Sequence, residues 1–180
     1  MAAAEFSNEQ ISNENLPDIH NIDMLLLDEK YLKTNRMILS ASSLVSALIF
    51  LAIHLQTFIK LPTGLALIVP IAGGVIISIL LFMTIYHSFA DPLKSYALRE
   101  HDLSYFSGLI FKKMVTQPIT RIQHIELKRG PIERRIGLAT LQVFSAGGAM
   151  HTFEIPGLPL TTAQQIRQYI LQHKDSVKHG

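Results

Sequence analysis

Two long apolar runs constrain this chain more than anything else in it. Residues 37–55 and 65–86 contain no Asp, Glu, Lys or Arg. Each is about 20 residues long, the length a helix needs to cross the ~30 Å hydrocarbon core of a bilayer. Only residues 56–64 separate them. The pattern predicts a transmembrane helical hairpin over 37–86. The part that follows has the size of one small domain. A secretory signal is excluded, because such a signal starts behind a short basic N-terminus. Here the first apolar run lies behind an acidic, polar stretch. A buried hairpin in a soluble protein is the competing reading, but two charge-free runs of spanning length are rare in soluble cores.

Charge gives the orientation. Lys30, Lys33 and Arg36 precede the first run, and Lys94, Arg99, Lys112 and Lys113 follow the second. Lys60 is the only charged residue between them. Basic residues stay on the cytoplasmic side, so both termini are expected there, with 56–64 outside. Tyr31 and Tyr86 fall near the inner boundary, where aromatic rings are favoured. Residues 1–23 carry Glu5, Glu9, Glu14, Asp18 and Asp23 and read as a disordered acidic tail. Residues 24–36 read as an interfacial segment, with a short helix over 24–32.

Small residues interrupt the apolar runs. Ser43 and Ser46 in the first and Gly73 and Gly74 in the second are candidate helix-packing positions, since small side chains let helices approach closely. They serve either the pairing of the two helices or a face for a partner. Pro70 is expected to kink the second helix. No acid, base or ion pair lies inside the runs, which argues against a pump or transporter.

After Asp91-Pro92 the pattern becomes strand-like. Strands are expected over 94–99, 103–107, 109–116, 119–128, 138–145 and 150–155, with a single helical turn at 132–136. Arg129-Gly130-Pro131, Ala146-Gly147-Gly148 and Pro156-Gly157 supply turn signals, the last ending its strand. Ala163, Ile166 and Ile170 recur at helical spacing, behind Thr161/Gln164 or Thr162/Gln165 at capping-box spacing. Residues 173–180 read as a tail. The fold class is α+β: a small curled sheet or barrel closed by a C-terminal helix.

The stretches Pro118-Ile119-Thr120-Arg121-Ile122-Gln123, Lys128 to Leu141, Ser145-Ala146-Gly147-Gly148 and Ile155-Pro156-Gly157-Leu158 resemble the bacterial PH-like domain of the YdbS-like membrane protein family. The likeness covers residues 91–171, and the domain is set at 91–172. It implies a PH-like β-barrel, a protein anchored in a bacterial inner membrane and no established catalytic activity. It also implies assembly with a related protein carrying several such domains, or with a second copy.

The basic residues Arg121, Lys128, Arg129, Arg134 and Arg135 are the candidate lipid- or partner-binding positions. A headgroup site, a protein-binding surface and simple pairing of Arg121 with Glu126 or Glu133 all remain open. The acidic-to-neutral turn Glu100-His101-Asp102 argues against phosphoinositide recognition. The cluster is too small for a nucleic-acid surface. No catalytic, metal or cofactor constellation is expected. The histidines make no HxH or HxxxH pair, there is no cysteine, and neither GxSxG nor a phosphate loop occurs. The expected role is a non-enzymatic scaffold in contact with membrane lipids. The alternatives are an anionic-lipid sensor and an accessory subunit of a transport or envelope-stress system. A reporter placed within 56–64 should read as external; a cytoplasmic signal there overturns the topology.

Overall fold

A computed structural model describes residues 23–55, 62–145 and 153–178. Residues 1–22 of the acidic tail read over 1–23, most of the inter-helix loop and the Ala146-Gly147-Gly148 turn lie outside the described residues. The chain runs β1 (Leu25–Leu26), α1 (Glu29–Leu55), α2 (Thr63–Ala90) and a 3₁₀ turn (Asp91–Leu93). Next come β2 (Ser95–Leu98), β3 (Asp102–Ser107), β4 (Lys113–Pro118), a second 3₁₀ turn (Ile119–Arg121) and β5 (Ile122–Lys128). The order closes with α3 (Pro131–Ile136), β6 (Leu138–Ser145), β7 (Phe153–Pro159) and α4 (Leu160–Lys178). One antiparallel sheet has the order β1-β2-β3-β4, the other β5-β6-β7. This is the expected mixed α+β architecture.

The two apolar runs form α1 and α2, which pair with each other. Ser43 is buried between them, with its Oγ 3.3 Å from Thr84 Oγ1. A Cβ added to Gly73 would enter the Phe50 ring, whereas one added to Gly74 meets only open space. Ser43 and Gly73 therefore serve the pairing of the hairpin itself, and Gly74 faces outward. α2 continues through Pro70 as one helix. Leu44, Leu48, Ile71, Ile79 and Phe82 remain exposed along the pair. Water would penalise that surface by roughly 25 cal/mol per Å²; a bilayer would not.

The segment read as an interfacial helix over 24–32 folds differently. Leu25 and Leu26 pair with Tyr96 and Ser95, and Leu27 is buried in the same core as Leu103, Leu141 and Ile155. Asp28 then caps α1 by accepting a 2.7 Å hydrogen bond from the Lys30 amide. The helical hairpin is thus an insertion between two adjacent strands of one sheet, and the barrel begins before the membrane segment rather than at residue 91.

Other boundaries shift for physical reasons. The strand expected over 109–116 starts only at Lys113, because Gly108, at φ +105°, turns the chain. Residues 119–121 form the second 3₁₀ turn before β5 begins. Pro156-Gly157 does not end β7. Gly157, at φ +66°, bends it instead, and β7 is an edge strand, where proline costs no ladder hydrogen bond. α4 starts at Leu160, whose amide bonds Gly137 O at 3.0 Å. Thr161 and Thr162 therefore lie inside its first turn rather than at a cap. Ala163, Ile166 and Ile170 face the core as the spacing predicts, and the helix continues to Lys178.

The outward Gly74 and inward Gly73 make a paired test. Gly73→Leu should lower hairpin stability by about 1–3 kcal/mol through overpacking against Phe50. Gly74→Leu should leave it unchanged. Thermal unfolding in detergent, followed by circular dichroism, checks both.

Candidate functional site

The barrel has two poles, and the helices leave from one of them. At the far pole lies the β2–β3 turn. There His101 O accepts the Ile119 amide at 2.8 Å and Glu100 O accepts the Tyr169 hydroxyl at 3.4 Å. From this pole β3 and β5 run toward the helix pole, which gathers the end of α2, the start of α1, α3 and the β3–β4 turn.

A buried carboxylate organises the helix pole. Asp91 is 3% exposed. Its Oδ1 lies 2.8 Å from Lys94 Nζ and 3.2 Å from His87 Nδ1, and its Oδ2 accepts from Asn35 Nδ2 at 2.5 Å. Lys94 also donates to the Tyr31 hydroxyl at 3.2 Å and sits 5.5 Å from that ring's centroid. Tyr31 in turn packs over Gly157, where a Cβ would collide with its ring, and the Asp28 amide bonds Gly157 O. One network therefore joins α1, α2, the 3₁₀ turn and β7. Burial opposes the charge on Asp91. Hydrogen bonds from Lys94, Asn35 and His87 outweigh it and hold the carboxyl below its ordinary 3.8. Burial likewise opposes the Lys94 ammonium, and its bond to Asp91 wins, raising it above 10.5. Tyr105, beside Lys94 in the cleft between β3 and β7, is pushed up to about 12 by burial.

A second feature lies between α1 and α3. Tyr31, Thr34, Asn35 and Ile38 face Ile132, Ile136 and Leu138 across a cleft of about 260 Å³. Ile38 belongs to the first apolar run, so α3 stands level with the point where that run begins. Glu133 fixes α3: its carboxylate accepts the Gly130 amide at 2.6 Å and the Thr140 hydroxyl at 2.8 Å.

The five candidate basic residues do not form one patch. Lys128, Arg129, Arg134 and Arg135 gather at the helix pole around α3. Arg121 sits on the 3₁₀ turn at the other end of β5, about 20 Å away at strand rise. Arg129 is committed to structure, with Nε donating to Leu138 O at 3.0 Å. Arg134 Nε makes a long 3.4 Å bond to Arg129 O. Lys128, Arg134 and Arg135 are exposed, and none forms an ion pair among the described residues. Of the three readings left open, pairing of Arg121 with Glu126 or Glu133 is not seen among the described residues: Glu126 meets His124, and Glu133 caps α3. Among the described residues no three His, Cys, Asp or Glu side chains converge to hold a metal.

The bacterial PH domain family matches residues 45–174. This chain belongs to the bacterial PH domain family. Over 75 residues it is 31% identical to the UPF0699 transmembrane protein YdbS of Bacillus subtilis (strain 168), covering 42% of this chain and 45% of that protein. The chain thus spans less than half the length of that relative. A crystal structure of a DUF1696 family protein with a pleckstrin-homology domain, from Shewanella loihica PV-4, aligns over 45% of this chain and 70% of that one. The identity is 13% and the TM-score 0.36. Family membership and two exposed apolar helices of spanning length make this a membrane-associated PH-domain protein.

Asp91 is the residue that the sequence pattern undervalued, although an acid directly after a charge-free run was a visible signal. Asp91→Ala would leave Lys94 charged, half-buried and unpaired, and should cost roughly 3–5 kcal/mol. The lowered carboxyl value sets the pH window. The Asp91 contribution is complete above about pH 4 and is lost as pH falls through the folded value. Thermal unfolding of the detergent-solubilised protein should be flat from pH 7 to 5 and fall below pH 4. Asp91→Asn should flatten the acid limb.

Proposed function

We propose that this protein is a non-enzymatic, membrane-anchored PH-like interaction module. Its helix pole rests on the anionic inner leaflet of a bacterial membrane. The helical hairpin crosses that membrane twice with both termini cytoplasmic, in keeping with Lys30, Lys33, Arg36, Lys94 and Arg99 flanking it on one side. One observation carries the lipid reading. α3 is held level with the start of the apolar run, with Ile132 and Ile136 turned to the cleft beside Ile38. It presents Arg134 and Arg135 without acidic partners among the described residues. Guanidinium groups suit phosphate oxygens in fork geometry. Each basic residue near a leaflet contributes about 1 kcal/mol. Arg129 supports the turn, and Arg121, at the far pole, is outside this contact.

A second reading is a subunit of an assembly with a related multi-domain PH protein or with a second copy. Gly74 and Ser78 favour it, lining an open groove on the outer face of α2 with Pro70, Ile71 and Phe82. Ser46 on α1 is half-buried and adds little to an outward face.

The test of lipid binding requires the full chain, because a fragment starting at residue 91 would lack β1 and the buried Leu27. The protein should be purified into nanodiscs of phosphatidylcholine and phosphatidylglycerol and its retained lipid measured by mass spectrometry. The wild type should enrich phosphatidylglycerol. The double variant Arg134→Ala/Arg135→Ala should lose that enrichment by roughly ten- to thirtyfold at low salt. Unchanged enrichment in the double variant would sink the headgroup reading and move the assembly reading forward.

A further inference from the structure

The β3–β4 turn carries the most exposed large apolar side chain among the described residues. Phe111 is 89% exposed and Ile110 68%. Lys112 and Lys113 follow directly, also exposed. Such a tip in water is unfavourable, and the fold does not leave it loose. Gly108 takes φ +105°, and a Cβ there would collide with Phe111 O. The turn is therefore a closed, specified one that holds two apolar side chains outward.

Its position identifies what it meets. β3 runs from the far pole toward the helix pole, and Phe106 pairs with Ser95, four residues past Asp91. Ser107 and Lys113, the last paired residues before the turn, line the same cleft as Tyr31 and Lys94. Tyr31 lies six residues before the apolar run, about 9 Å along a helix. Gly108 folds the chain back so that Phe111 O lies against it, and the closed turn carries the Ile110 and Phe111 side chains outward beside that cleft. The tip thus stands at the helix pole, the end of the barrel from which α1 and α2 leave.

We propose that the Ile110-Phe111 tip is a second membrane contact, inserting both side chains into the leaflet that holds the helices while Lys112 and Lys113 meet anionic phosphates. A lipid surface is the occupant that fits. Exposed apolar side chains at the membrane end of the barrel bury favourably at the headgroup–acyl boundary, and the adjacent lysines complement an anionic leaflet. This contact does not depend on the α3 arginines. With α3 it gives the barrel two separate contacts at the helix pole.

The chain contains no tryptophan, so Phe111→Trp creates a single reporter at a site whose exposure leaves the fold undisturbed. The full-length variant is reconstituted into phosphatidylcholine–phosphatidylglycerol vesicles. Its indole emission should be blue-shifted, resistant to acrylamide and quenched at least twofold by acyl-chain-brominated phosphatidylcholine. A separate Tyr169→Trp variant, reporting from the far pole, should be indifferent to brominated lipid. Adding Arg134→Ala/Arg135→Ala to the Phe111→Trp protein should leave its bromolipid quenching in place, which separates this contact from the headgroup reading. Water-like, acrylamide-accessible emission from the Phe111→Trp protein overturns the proposal. So does shielding from acrylamide without bromolipid quenching, which would mean that protein covers the tip. Bromolipid quenching of the Tyr169→Trp reporter would overturn the assignment of the poles.

Discussion

The ion pair between Asp91 and Lys94 is the contact on which this architecture turns. A membrane hairpin and a soluble barrel have little natural reason to hold a fixed relation, since each satisfies its own backbone. Here a carboxylate at the exit of α2 is taken out of water and bonded by α1, α2 and the barrel's own lysine. A buried pair adds little stability against an apolar replacement, yet it is costly to break on one side. Its effect is to specify geometry: α1, α2 and β2 must meet at one angle for every partner of Asp91 to be satisfied. Tyr31 over Gly157 extends the same constraint to β7.

The hairpin's insertion between β1 and β2 reinforces this. The barrel's edge strand comes from before the apolar hairpin and its second strand from after it. Both ends of the hairpin are therefore tied into one sheet, and Leu27 is sealed in the barrel core. Two tethers and a buried polar lock hold the helix pole in a fixed relation to the hairpin. Under the proposed lipid reading, basic residues held at fixed height would not have their contact diluted by tumbling on a flexible linker.

Much of the fold was legible. Charge-free runs of spanning length, the strands expected over 94–99, 103–107 and 138–145 and the Ala163–Ile166–Ile170 stripe appear close to where pattern places them. The misses have local causes. Met24-Leu25-Leu26-Leu27 is too short for periodicity to separate a helix from a strand, and its pairing partner lies some seventy residues on, across the hairpin. Leu109-Ile110-Phe111 is β-prone, but Gly108 diverts it into a turn. Pro156-Gly157 reads as a stop, although an edge strand tolerates it as a bend. The basic cluster was visible as composition. That Arg121 stands a full strand's length from Lys128, and that Arg129 is tied to Leu138, follows only from where β5 begins and ends.

Hydropathy and charge along the chain were enough to give a membrane-associated α+β protein with basic residues flanking its two apolar runs. These properties are local, summed over neighbouring residues, and they survive without knowledge of distant contacts. Three further matters required the folded chain: Asp91 as the joint between membrane and barrel, the splitting of the basic residues between two poles, and the presentation of Phe111 beside the helices. Each depends on segments far apart in sequence meeting at a few ångströms, a property of chain closure that no window of residues encodes.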